Sequence, residues 1–392
     1  MENLREIHEL FVEGHESKLH RSLMSAIDWN HRFICIKGFR GVGKTDFLAE
    51  LVTKNFKGDS VCLYVDLNNF YFTKRKIYNF ADDFYKKGGK VLVLDQIHKY
   101  PDWIDELVRC YYDFPELRII FSASPVLRVW EADERLKDIV AIYRLKGLSF
   151  REFLNYKTGK EFRSYTFQEL ISNHEKIAKE ITSQVMPLAF FDQYLINGFY
   201  PYSIDLQLND CSRLLKHINL ALEIDIISLN QIELKYLPKL RKLLRLICSQ
   251  APFTPNISKL SLEIETSRAT VINYLKYLKN AQLINLLYAG GDEDTQKKPE
   301  CVYVNNTNIL YAVSPDNFGI ETVRKTFFCN QVSSTNRVSS SPKGDFLVDG
   351  IYDFTIGGKY HEAQSLDTYA AVGRIDVGTE NKIPLWLFGF LY

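Results

Sequence analysis

The octapeptide GFRGVGKT, residues 38–45, follows the apolar run RFICIK and precedes a segment of helical spacing running from about Thr45 to Asn55. This strand, loop and helix order leaves little choice of local fold. Gly38, Gly41 and Gly43 let backbone N–H groups approach phosphate oxygens closely, where a side chain would obstruct them. Lys44 is placed to reach the terminal phosphates of a nucleotide, and the Thr45 hydroxyl to ligate Mg²⁺ at the helix N-terminus. The pattern therefore points to ATP and Mg²⁺ as cofactors. It accounts for binding alone, because none of its residues activates water.

Further apolar runs follow at VCLYVDL (61–67), VLVLD (91–95) and RIIFSAS (118–124). IYNFADDFYKKGG and PDWIDELVRCYYDF lie between them with helical spacing, and residues 17–28 show the same spacing ahead of the first strand. Strands with apolar interiors alternating with helices predict an α/β fold, the parallel sheet of a P-loop NTPase covered on both faces. Asp95, closing its strand, is the expected second metal-holding group. Gln96 stands next to it, where many ATPases of this architecture carry the glutamate that deprotonates the attacking water. A carboxamide can hold a water but cannot take its proton. Three readings stay open at this position: slow turnover with Gln96 orienting the water, a binding switch that barely hydrolyses, and a substitution that traps ATP. Ser122 and Ser124 end the next strand, as sensors of the terminal phosphate or as simple helix caps. Arg128, Arg135 and Arg144 follow, any of which is a candidate to reach a neighbouring subunit's nucleotide.

From Leu148 the pattern turns helical, as a small lid would. After Asn230, IELKYLPKLRKLLRLICSQ, NISKLSLEIETS and RATVINYLKYLKNAQLINLL read as three helices with a tight central turn, matching a helix-turn-helix or winged-helix unit. GGDEDTQKKPE (290–300) reads as an exposed turn at the tip of the wing. The last hundred or so residues mix glycine turns with aromatic, alternating runs, predicting a small further α/β unit. The expected division is 1–147 for the P-loop core, 148–229 for the lid, 230–291 for the winged helix and 292–392 for the last unit. At 392 residues, the chain is indeed long for one domain of roughly 100–200 residues.

Lys and Arg total 49 against 48 Asp and Glu, so no global positive field draws this chain onto nucleic acid, and any DNA contact needs a local patch. In ETSRATVINYLKYLKN, Thr266 is a candidate cap for a helix exposing Arg268, Thr270, Asn273 and Lys276, with Val271, Ile272, Leu275 and Leu278 packed beneath. Such side chains suit phosphates or base edges of double-stranded DNA; a protein-contacting face is the alternative. The seven cysteines lack CxxC spacing and several sit in apolar runs, as expected for free thiols in a reducing cytoplasm. The N-terminus lacks the apolar core of a secretory signal, and no window nears the ~18–20 apolar residues of a membrane span.

Taken with GFRGVGKT, FSAS and GLSFREFLN, the stretch LDQIHKYPDW resembles a family of prokaryotic AAA-type ATPases. Its members join a P-loop domain and helical lid to a winged helix and a C-terminal domain related to PD-(D/E)XK nucleases. The resemblance implies that Lys44 and Thr45 serve the phosphates and magnesium, that Asp95 holds the metal, and that the chain assembles as a homo-oligomer. Gln96 departs from the family's glutamate, and Asp138 and Ile139 stand where basic residues are expected. In the last unit Asp345 and Lys359 match a degenerate nuclease site, but Thr355 and Gly357 occupy the positions of the second acid. Asp349, Asp353 and Glu362 are the candidate substitutes. The implied function is an ATPase, slow in hydrolysis, that couples its nucleotide state to a DNA-binding module. The alternative is a nucleotide-controlled scaffold for a protein partner, with no DNA binding and no nuclease activity.

Overall fold

The computed structural model describes residues 2–14, 19–56, 60–205, 211–290, 298–363, 365 and 367–392. Contacts divide the chain into two compact units, Met1–Lys146 and Gly147–Tyr392.

In the first unit, helix α1 (Glu2–Gly14) and the single turn α2 (Leu23–Ala26) precede strand β1 (Phe33–Lys37) and helix α3 (Lys44–Phe56). Strand β2 (Cys62–Asp66), helix α4 (Ile77–Lys86), strand β3 (Val91–Asp95), helix α5 (Trp103–Asp113) and strand β4 (Arg118–Ala123) follow. A turn α6 (Val129–Ala132) leads to strand β5 (Val140–Arg144). All neighbouring pairs run parallel in the order β2-β3-β4-β1-β5. Parallel strands need helical crossovers, which cover both sheet faces, and β1 to β4 are accordingly buried almost throughout. Phe33, Cys35, Leu63, Val65, Leu92, Leu94, Ile119 and Phe121 form one core with Phe80 and Phe84 of α4. Burial pushes the Cys35 thiol up to about 12, so it stays protonated as a core residue.

Two expectations need correction here. The helical spacing of 17–28 yields only the four residues of α2, with 15–18 outside the described residues. The expected four strands are joined by a fifth, VAIYR, which is apolar from Val140 to Tyr143 yet lies at the sheet edge with three partly exposed residues and an exposed Arg144.

The second unit begins with α7 (Phe150–Thr158), opened by a reciprocal capping box between Ser149 and Glu152. Helices α8 (Phe167–Thr182), α9 (Pro187–Gln193), α10 (Ser212–Leu220) and α11 (Leu237–Gln250) follow, then α12 (Ile257–Glu263) and α13 (Arg268–Asn280). Strands β6 (Ile284–Leu287) and β7 (Cys301–Val304) form an antiparallel pair after α13. The helical reading of residues 268–287 is therefore too long: its last apolar residues, INLL, pair with Cys301–Val304 instead of continuing the helix. Most of the expected wing tip, residues 291–297, lies outside the described residues. Helices α14 (Thr307–Val313) and α15 (Ile320–Val332) then lead to β8 (Val338–Ser339), β9 (Phe346–Val348), β10 (Tyr352–Gly357), β11 (Thr368–Val372) and β12 (Lys382–Pro384). These form a mixed sheet in which β10, β11 and β12 are parallel and β8, β9 and β10 antiparallel.

Candidate nucleotide site

A parallel sheet concentrates the loops that leave its strands at one edge. Here the loop after β1, Asp66 closing β2, Asp95 closing β3 and Ser122 near the end of β4 share that edge. The register pairs Asp66 with Asp95 and Ile36 with Ser122. The phosphate-loop residues are thus brought beside an acid fifty positions away in sequence.

The loop's shape comes from its glycines. Gly41 and Gly43 adopt φ of 85° and 87°, where a side chain is strained. A Cβ on Gly38 would meet the Leu145 carbonyl oxygen at 2.3 Å. Arg21, buried in the same unit, donates from Nη1 to the Val42 carbonyl at 2.8 Å and from Nη2 to the Lys146 carbonyl at 2.6 Å, bracing the loop against the end of β5. The Lys44 Nζ lies over the loop, donating to the carbonyls of Gly38 at 2.7 Å and Phe39 at 3.0 Å.

Asp95 is 2% exposed, and a carboxylate so buried needs donors. Thr45 Oγ1 donates to its Oδ2 at 2.8 Å, and so does the Tyr64 hydroxyl at 3.1 Å, while the Ser122 hydroxyl donates to Oδ1. Tyr64 is held from the other side by α1, where Phe11 stacks on its ring at 3.5 Å between centroids. Burial, then the carboxylates of Asp95 and Asp66, raises the Tyr64 hydroxyl well above its ordinary range, keeping it a donor. Thr45 and Asp95 together present the hard oxygen ligands that suit Mg²⁺, which dehydrates reluctantly and takes few protein ligands. Among the described residues no group of three or more His, Cys, Asp or Glu side chains can hold a metal by itself.

Gln96 leaves β3 in the left-handed region, φ 62° and ψ 46°. Its N–H donates to Ser122 Oγ at 2.8 Å, and its side-chain Nε2 donates to Asp66 Oδ1 at 3.2 Å. Burial, reinforced by Asp95, raises the Asp66 pKa, while the Asn68 N–H and Gln96 lower it. His98 follows in a short helical turn, both ring nitrogens buried and without a hydrogen-bond partner. Burial lowers its pKa to about 3, helped by the charges of Lys44, Arg40 and Lys99.

Asp66, Tyr64, Arg21 and His98 join the predicted residues at this site. For Asp66 a signal existed: it ends VCLYVD as Asp95 ends VLVLD, and neighbouring parallel strands set such ends side by side. Of the arginines, Arg135 is engaged with Asp105 at 2.7 Å and with Asp133, whereas Arg128 and Arg144 are exposed.

In the second unit Arg268, Asn273 and Lys276 are exposed on α13, above buried Val271, Leu275 and Leu278. The cap is Ser267, not Thr266: Ser267 has extended backbone and its hydroxyl accepts the Thr270 N–H at 3.1 Å. Asp345 accepts from Lys325 and from the Ile356 N–H at 2.8 Å, and Lys359 is exposed beyond the end of β10. Asp349 accepts from Asn336 and Arg337, Asp353 from Ser341, and Glu362 from Lys382. These acids are thus spent on separate local contacts.

The sheet order, the glycine loop after β1 and the acid closing β3 define the fold of a P-loop NTPase. Within that class, residues 30–154 match the AAA domain, and the chain carries an AAA-type ATPase domain there. Residues 189–317 match a domain of unknown function, DUF8612. The chain is 26% identical over 269 residues to the uncharacterized protein MJ1544 of Methanocaldococcus jannaschii, an alignment covering 64% of this chain and 55% of that one. The match therefore spans little more than half the relative's length. Among solved structures it is similar to AMPPCP-bound DnaA from Aquifex aeolicus, at 15% identity and a TM-score of 0.28, covering 71% of this chain and 88% of that one. The Hsp104-ADP complex of S. cerevisiae matches at 14% identity and a TM-score of 0.31, covering 69% of this chain and 41% of that one. Among the described residues no helix is long and apolar enough to cross a membrane.

Proposed function

We propose that this protein is an ATP-binding switch that hydrolyses slowly and passes its nucleotide state to a DNA-binding second unit. The observation that carries the reading is the hydrogen-bond chain from the Thr45 hydroxyl through the Asp95 carboxylate and the Ser122 hydroxyl to the Gln96 backbone N–H, with the Gln96 carboxamide held separately by Asp66. Lys44 and N–H groups of the glycine loop beyond Gly38, whose own N–H donates to the Ala123 carbonyl, bind the phosphates, and Thr45 and Asp95 hold Mg²⁺. When bound, the metal neutralises charge on the phosphate oxygens. Ser122 sets the orientation of Asp95 and the turn at Gln96. Gln96 orients a water and leaves its proton in place, which accounts for slow turnover.

The exposed Arg268, Asn273 and Lys276 on α13, preceded by a short helix and followed by an antiparallel pair, support a winged helix that reads duplex DNA. The scattered acids of the last sheet support a nuclease-like unit without cleavage. Seven free cysteines suit the cytoplasm. Homo-oligomers and a protein partner belong to the same reading, by analogy with AAA architecture.

The test is nucleotide titration with and without Mg²⁺. Lys44→Ala abolishes binding, and Asp95→Asn removes the gain that Mg²⁺ brings to the natural chain. Equal affinities for all three proteins would overturn the assignment.

A further inference from the structure

We propose that His98 is a nucleotide contact that distinguishes three phosphates from two, one imidazole N–H donating to an oxygen of the terminal phosphate. The inference rests on the nucleotide reading of the site and names a residue that the glycine loop and the strand acids do not include. Its ground is an unmet requirement. Both nitrogens of the ring are buried with no partner among the described residues, although a buried polar group is nearly always hydrogen-bonded.

The position indicates what the partner is. His98 lies in the turn that begins at left-handed Gln96, directly beyond the acid that closes β3. The ring lies in the field of Lys44 and Arg40 of the phosphate loop as well as of its chain neighbour Lys99. Two cations of the phosphate loop beside an unpartnered donor make an environment for an anion. Burial and these cations keep the imidazole uncharged. A neutral ring brings one N–H donor and no repulsion against Lys44. A hydrogen bond to a charged oxygen is among the stronger kinds, and its loss is read as an affinity change of about tenfold or more.

The experiment measures the affinities of the full chain for AMPPCP and ADP with Mg²⁺ by calorimetry, in the natural protein, His98→Ala, His98→Gln and Lys44→Ala. The proposal expects His98→Ala to weaken AMPPCP about tenfold while leaving ADP within about twofold, and His98→Gln, which keeps a donor, to recover part of the loss. An unchanged ratio of the two affinities, or an equal fall in both, overturns it. Failure of the natural protein to bind either nucleotide overturns the nucleotide reading as well, whereas binding that Lys44→Ala abolishes and His98→Ala leaves intact sinks the histidine inference alone. Nitrogen-15 spectra of the histidine rings give a second readout independent of affinity. The resonance that His98→Gln removes shifts with AMPPCP and not with ADP; no shift with AMPPCP contradicts the contact.

Discussion

Gln96 and Asp66 hold one another across the ends of β3 and β2, the carboxamide Nε2 donating to the Asp66 carboxylate at 3.2 Å. A glutamate at position 96 would place a second carboxylate against Asp66, so these two residues form a matched pair. At position 96 a carboxamide stands where the sequence resemblance implies an acid, and an acid one strand away accepts from it.

The pair makes a prediction about repair. Two adjacent carboxylates repel and tend to share a proton, which blunts either as a base. Gln96→Glu alone should therefore raise turnover less than Gln96→Glu combined with Asp66→Asn, which should reach about 10²-fold over the natural chain. Phosphate release measured for the three proteins decides it. Equal rates in the single and double variants would mean that Asp66 does not restrain position 96.

Stability should depend on pH through two histidines of the first unit. Burial lowers the pKa of His98 to about 3, and also that of His8, whose Nδ1 accepts the Tyr64 N–H at 3.0 Å. Below 6.5 the unfolded chain takes up protons that the folded chain refuses. The contribution of each is thus full above pH 6.5 and declines as pH falls from there toward the folded value. Between pH 7.5 and 5.5 the natural chain should lose about 1 kcal/mol more unfolding free energy than His98→Gln, by one-proton linkage. Urea midpoints at the two pH values measure this, and parallel losses in both proteins would contradict the buried neutral ring.

Much of this architecture is legible in the sequence because its signals are local. An apolar run, a glycine loop and a helical segment in order require the β1–loop–α3 unit, and the runs at 61–67, 91–95 and 118–124 require its neighbours, which the structure ends at Asp66, Asp95 and Ala123. The site is legible only where chain neighbours supply it. Gly38 to Thr45 form one loop, whereas the contacts of Asp66 with Gln96 and of Tyr64 with Asp95 span 30 and 31 positions. Strand order brings them together, and no local pattern encodes strand order. β5 shows that edge position alone does not set burial: β2, at the other edge, is buried, whereas β5 leaves three residues partly exposed. The Ile284–Leu287 strand was missed because four apolar residues directly after a helix look like its continuation.

The DNA reading makes a salt prediction. Each neutralised phosphate contributes about 0.9 to the slope of log affinity against log salt concentration on duplex DNA. Replacing exposed Arg268 and Lys276 by Ala should lower that slope by about 2, with weaker binding at every salt concentration. Fluorescence anisotropy over a salt series measures it. Absence of binding at low salt, with and without ATP, would remove DNA from the account and leave the second unit as a protein-binding module.

The central claim, that this site binds Mg·ATP and turns it over slowly because Gln96 cannot take a proton, is tested most directly by measuring binding and hydrolysis on the same preparation. Saturable binding that Lys44→Ala abolishes, with turnover well below about 1 s⁻¹, the lower end of the usual enzyme range, is the predicted result. No binding, or turnover near the common enzymatic rate of about 10 s⁻¹ with Gln96 in place, would contradict it.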